Sequence, residues 1–203
     1  MASDAFQGGF GGHGGRPTGI FVKVPQIPLW VEGDRRRVLT NLVRNTIHLA
    51  LLEVAGRVSD EAGRFSDTGA LAQSFGADPA TQTGGIEVGG ADLAGNVLGR
   101  VFSSLPYAIV MEEGRRSGQP ISRLGIDAIG LWAQRKLGLS ADEASRAKWA
   151  IAQSIIAQGI EGKGYFEDGV RAAEPRVQQM FTILGDQLAA ALLKPGQGQT
   201  GTT

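Results

Sequence analysis

The adjacent carboxylates Glu112 and Glu113 are the first residues of this chain to test for chemistry. Two carboxylates aimed at one substrate can divide the work of general acid and general base. Neighbouring residues, however, leave a helix or a strand in different directions. The pair therefore reads as charged surface beside Arg115 and Arg116, suited to salt bridges between subunits. The run Gly159-Ile160-Glu161-Gly162-Lys163-Gly164 has the composition of a phosphate loop. Such a loop needs GxxxxGK followed by Ser or Thr, after a strand and before a helix. Here the spacing is short, Gly164 stands where the hydroxyl belongs, and a helical segment precedes it. Ser66, Ser74, Ser103 and Ser104 sit in no nucleophile-elbow sequence. His48 lies between Ile47 and Leu49 in a helical pattern and reads as structural. Trp30, Trp132 and Trp149 are too dispersed for a base-stacking platform; the last two read as core or interface anchors. The sequence assigns no catalytic residue, no cofactor site and no metal site, and the expectation is a protein that is not an enzyme.

The composition bounds the remaining choices. A chain of 203 residues suffices for one domain with a sizeable core and tails. A formal net charge of +0 argues against a dedicated nucleic-acid binder, without excluding a local basic patch. With 0 Cys and 2 His, disulfides, thiolate metal sites and His-based clusters are out of reach. The first residues show neither the basic nor the apolar region of a signal peptide, and the apolar runs fall short of the ~18 residues of a membrane span. A soluble protein made in the cytoplasm, with no membrane contact, is expected.

The elements that would carry these residues follow from periodicity. Residues 1–19 form a Gly-rich arm, flexible because ordering glycine costs the most backbone entropy. Ile20 to Val24 is a short β-rich run closed by Pro25 and Pro28. Asp34 is placed to cap a long amphipathic helix over 34–62, with Leu39, Val43, Ile47, Ala50, Leu51, Val54 and Val58 on its apolar face. Its basic first turn, Arg35-Arg36-Arg37, opposes the helix dipole and reads as a solvated face or a meeting point for acidic surface or nucleic acid. Ile86 to Val88 and Asn96 to Phe102 are strands of an antiparallel meander, with turns at Asp78-Pro79, Gly84-Gly85 and Gly89-Gly90. Tyr107 to Glu113 fits a short helix or a strand end, and Gly114 to Gln119 an exposed loop. A helix running to Gly138 follows, then one with a Ser140–Glu143 capping box that ends at Gly159. Trp149 is assigned to the apolar face of this second helix. The last helix is expected to start between Asp168 and Pro175 and to stop at Lys194-Pro195. The organisation is a Gly-rich arm (1–19), a single α+β domain (20–194) with a helical insertion at about 121–160, and a disordered tail (195–203). In the α+β fold, a small antiparallel sheet packs against the long N-terminal helix and a C-terminal helix.

Four segments carry a family likeness. Thr68-Gly69-Ala70-Leu71 precedes the strands and Tyr107-Ala108 leads into Met111-Glu112-Glu113-Gly114 after them. Trp132 with Arg135-Lys136-Leu137-Gly138, and Gly159-Ile160 with Gly164-Tyr165-Phe166, follow in order. Over residues 34–193 the chain resembles the HK97 gp10-like family of tailed-phage proteins, described as tail-completion, head–tail joining or minor tail components. The resemblance implies a structural virion protein at the neck or tail, made in the host cytoplasm. It would form a ring, a hexamer by that likeness, around the DNA channel. Its partners would be copies of itself, a neck or connector protein, a tail terminator or tail tube, and DNA passing through without sequence-specific contact. Family members carry Gly-Thr after the glutamate, whereas Arg115 follows Glu113-Gly114 here. The loop at that point is thus expected to be partner-specific. Subunit or partner contacts are assigned to Phe10, Tyr107, Glu112, Glu113, Arg115, Arg116 and Arg123. The competing reading is a cytoplasmic regulatory or nucleic-acid-binding module using the clusters at Arg35 and Arg115.

The two readings part on salt. A neutral ring component shows flat, negligible affinity for duplex DNA as ionic strength is varied. A basic-patch binder shows a steep loss of affinity with salt, and fluorescence anisotropy on labelled DNA separates the two.

Overall fold

A computed structural model of the chain describes residues 18–24, 33–76, 84–91, 97–105 and 107–193. The arm with Phe10, the Pro25 to Trp30 segment, the Asp78-Pro79 turn, Pro106 and the 195–203 tail lie outside the described residues.

Among the described residues the elements run in the order β1 (Thr18–Val24), α1 (Gly33–Gly63), α2 (Ala70–Gln73), β2 (Gly84–Ala91), β3 (Val97–Ser103), α3 (Ala108–Glu113), β4 (Gly114–Arg115), α4 (Arg123–Leu137), α5 (Ala141–Gln158), β5 (Ile160–Glu161) and α6 (Tyr165–Leu193). The fold is α+β, with a small antiparallel sheet packed on the long N-terminal helix α1; the long C-terminal helix α6 packs on α1 and not, as expected, on the sheet, because α1 lies between them. The sheet is not a sequential meander. Its order is β1-β3-β2, with both neighbours antiparallel to β3. β3 alternates strictly: Gly99, Val101 and Ser103 face inward, while Arg100 and Phe102 lie on the other side. On that outer side Arg100 bonds its cross-strand partner Glu87 at 2.8 Å and stacks over the Phe102 ring. The Gly-rich β2 is left at an edge, with its register shifted between Val88 and Ala91.

Helix α1 is the centre of the core. Its face from Val43 to Ala62 packs on β2 and β3 on one side and on α6 on the other. Two glycines set how closely its neighbours approach. A side chain at Gly99 would meet Leu51 Cδ1 at 2.5 Å and Ile47 Cγ2 at 2.7 Å. A Cβ at Gly169 would lie 2.6 Å from Val58 Cα, so α6 crosses α1 backbone to backbone there. Val58 is near the end of α1 and Gly169 near the start of α6, so the two helices run antiparallel along their length.

Several boundaries differ from expectation. Asp34 is not a cap: α1 begins at Gly33, and Asp34 sits in the first turn, 3.4 Å from Arg37. There its charge still favours the positive end of the helix. The loop expected from Gly114 is a strand at its start, because Gly114 and Arg115 pair with Glu161 and Ile160. α6 begins at Tyr165, which leaves Pro175 inside the helix. Trp149 is exposed, near Lys148, and is not part of the apolar face. Ala144 and Ala152 are the fully buried residues of α5. The Ser140–Glu143 capping box and the Gly138 and Gly159 helix ends stand as expected.

Two glycines of α6 give a controlled test. Gly169→Ala forces α1 and α6 apart and should lower stability by about 1–3 kcal/mol. Gly185 has open space around its Cα. Gly185→Ala should raise stability by roughly 0.5–1 kcal/mol, since Ala costs less helix entropy than Gly. Urea denaturation of the two variants reads both signs.

Candidate functional site

Two joints lie at or beside the segments that carry the family likeness. The first pair joins the turn before α2 to the end of α4. Gly69 has φ 74°, a left-handed conformation that glycine adopts without strain, and α2 starts directly after it. Asp67, two residues earlier, accepts from Arg135 Nη2 at 2.9 Å and Nε at 3.1 Å, while Lys136 stands 3.2 Å from its other oxygen. The bond from Arg135 holds the Asp67 carboxyl below its ordinary range, with the charges of Lys136 and Arg135 acting in the same direction and partial burial opposing them. Ser59, on α1, ties the same region down by donating to the Ala72 carbonyl at 2.9 Å.

The second pair joins α3 to the start of α6. Glu112 is only 8 % exposed, and its carboxylate accepts from the amides of Phe166 at 2.7 Å and Glu167 at 3.2 Å. These are among the first amides of α6, which have no partner within their own helix. The backbone repeats the connection, since Lys163 N donates to Met111 O at 2.8 Å and Gly164 N to Glu112 O at 3.1 Å. Tyr165 is fully buried and its hydroxyl donates to Ala108 O at 3.2 Å. Burial raises the Tyr165 phenol far above its ordinary value, and the nearby Glu112 charge adds to the effect. Phe75 packs against the rings of Tyr165 and Phe166 with centroids 5.9 and 5.7 Å away. The α3 and β5 backbones approach so closely that side chains at Gly114 or Gly162 would collide with Ile160 O and Glu112 O.

The residues expected to contact partners fall into distinct groups. Glu112 is withdrawn from any surface role. It was expected to be an exposed partner of Glu113, but it turns inward as the cap of α6, while Glu113 stays exposed. The pair is thus separated by the fold. Arg115 donates from Nη2 to the carbonyls of Gln119 and Pro120 in its own loop, while its Nε is buried without a hydrogen-bond partner. Arg116 and Arg123 are exposed, and Arg123 opens α4 near Asp127. Tyr107 is partly exposed at the start of α3, with its phenol raised by the burial of its inner part. Phe10 lies outside the described residues.

Sequence reasoning missed two features. Ser74 and Ser103, 29 residues apart, share a hydrogen bond of 2.8 Å in the buried core. Leu105 N donates to Ser103, and Ser74 bonds the Leu71 carbonyl, so the pair ties α2 to the end of β3. No sequence spacing announces such a long-range bond. The other is the inward turn of Glu112, for which the buried aromatic pair Tyr165-Phe166 is the one visible hint. A second surface also emerges. Leu124, Leu131 and Trp132 are exposed on α4, with Leu124 at 83 %, while Ile126 and Ala133 occupy its buried side. Comparisons with protein-family models, with characterised proteins and with solved structures gave no match for this chain.

The Glu112 cap gives a signed pH prediction. Burial raises its carboxyl above the ordinary 4.5, the Phe166 and Glu167 amides pull it down, and the Glu167 and Asp168 charges push it up again. A raised folded-state value means the folded protein binds this proton more tightly. Its contribution is therefore complete below the ordinary value and is lost as pH rises through the folded-state value. Glu112→Gln should remove that loss, so the variant gains on the wild type as pH rises from acid to neutral. Glu112→Ala leaves two buried amides unpartnered and should cost about 1–3 kcal/mol. Thermal denaturation across pH separates the two.

Proposed function

We propose that this chain is a structural virion component of a tailed bacteriophage. It joins the head connector to the tail, or completes the tail, as a ring around the DNA channel. The observation that carries the reading is the pairing of the four family-like segments. Asp67, beside Thr68-Gly69-Ala70-Leu71, bonds Arg135 and Lys136. Glu112 and Ala108, of the Tyr107 to Gly114 segment, bond Phe166 and Tyr165. Here each serves as a structural joint of one fold, which supports reading them as a set.

The exposed apolar side chains of α4 and α5 support the same reading. Leu124, Leu131, Trp132 and Trp149 are large and unburied. Such groups are usual where a surface is covered by a partner. A ring needs two different complementary patches per subunit and no covalent chemistry. The nucleic-acid alternative keeps less of its original basis, because Arg115 is occupied by the carbonyls of its own loop.

Electron microscopy and mass spectrometry of purified virions test this. The expected result is this chain as a ring at the neck or tail end. Particles that lack the chain, or that carry it dispersed in the capsid, sink the reading.

A further inference from the structure

The α4–α5 hairpin is built apart from the rest of the molecule. Its two helices pack mainly on each other, whereas α1 meets both α6 and the sheet. Ile126, Ala133, Ala144 and Ala152 are its buried apolar residues, and none of them belongs to the core around α1. Three of these four are alanine, so the hairpin buries little apolar area of its own. Gly130 lets α5 come close, since a Cβ there would lie 3.3 Å from Lys148 Cδ. Lys148 and Asp127, 2.7 Å apart, join the two helices as well. The large side chains Leu124, Leu131, Trp132 and Trp149 are exposed instead. A unit with so small a core, separate from the main one, is the kind that moves independently of it.

Two joints hold the hairpin. Its root is narrow: β4 leads in and β5 leads out through two residue pairs, Gly114 with Glu161 and Arg115 with Ile160. Just beyond, Gly118 N donates to Ile156 O at 2.7 Å. Gly114, Gly118 and Gly159 have positive φ of 82°, 80° and 79°. Short element-terminal stretches of this kind serve as pivots. The second joint is at the far end of α4, about 18 Å along the helix from Arg123. There Arg135 and Lys136 stand 2.9 and 3.2 Å from the Asp67 carboxylate. Among the described residues, no other ion pair or side-chain hydrogen bond runs from α4 or α5 to the body. The Arg135 and Lys136 side chains are 48 and 52 % exposed, so the joint is weak and open to screening by salt.

We propose that the α4–α5 hairpin is a hinged arm, pivoting at the β4–β5 root and latched to the body by Asp67 through Arg135 and Lys136. The latch sets the position of an apolar stripe. Leu124, Leu131 and Arg135 follow at spacings of seven and four, which puts them on one line along α4. Trp132 lies beside that line, three residues before Arg135 and four before Lys136. Latched, the arm holds this stripe next to the Asp67 turn. Released, it carries the stripe away from the body as one piece. The inference concerns the free subunit and does not rest on the virion reading.

The test uses the full chain and dipolar spectroscopy between spin labels. With 0 Cys in the sequence, introduced cysteines are labelled without competition. Gln73→Cys with Ser145→Cys, both exposed positions, reads the distance from body to arm. Gln73→Cys with Asp186→Cys reads a distance within the body. Wild type is expected to show one main body-to-arm distance and a minor, longer one. Asp67→Asn should raise the longer component about two- to fivefold, and so should Arg135→Gln with Lys136→Gln. Salt at about 1 M, where the Debye length is about 3 Å, should act in the same direction. Combining the substitutions adds nothing further, because they remove one latch. The distance within the body and the helix content by circular dichroism stay as in wild type. A body-to-arm distance that ignores both variants and salt overturns the proposal. So does a change that appears equally in the body distance or in the helix content, since the hairpin would then be part of the main fold. Neither result touches the virion reading, which electron microscopy decides separately.

Discussion

The first turn of α6 begins in the interior, and its leading amides have no partner within their own helix. Glu112 supplies one, from 54 residues earlier in the chain. Much of the fold depends on that bond. It fixes where α6 starts, and so which residues of α6 meet α1. It seats Tyr165 and Phe166 against Phe75, which stands at the end of α2. It also draws the Gly159 to Gly164 segment against α3 and β4, where only glycine leaves room for the backbone. The bond is charged and buried, so the burial of the carboxylate works against it while the amides favour it. Such a balance makes the position intolerant of a partner that cannot accept hydrogen bonds.

Once α6 is anchored, it packs antiparallel on α1, and the close approach of Gly169 to Val58 fixes which residues of the two helices meet. The exposed Leu124, Leu131 and Trp132 of α4 add an apolar surface on a different element.

Local signals were read correctly wherever the determining contacts were local. The Ser140–Glu143 capping box, the glycine helix ends at Gly138 and Gly159, and the apolar spacing of α1 all involve residues within a turn or two of one another. Departures arose where a distant residue intervened, as at Glu112, and also locally, at Asp34 and Trp149. α6 starts at Tyr165, ahead of the expected Asp168 to Pro175, and Glu112 accepts from its leading amides. Glu112 was taken as surface because carboxylates usually are, yet helix amides gave it a buried place. Trp149 was taken as packed because aromatic residues usually are, and it lies exposed.

The sequence by itself determined the fold class, the long helices, the strands β1 to β3 and the absence of cysteine chemistry, because periodicity, capping residues and composition act over short stretches of chain; helix α2 and the β4–β5 pair it did not show. Only the tertiary structure decided which carboxylate of the Glu112-Glu113 pair is buried and which strand is central. It likewise decided that Ser74 meets Ser103, and that Asp67 meets Arg135. Those outcomes rest on hydrogen bonds and close backbone approaches between residues tens of positions apart. Their geometry is set by how whole helices pack, and no spacing along the chain records it.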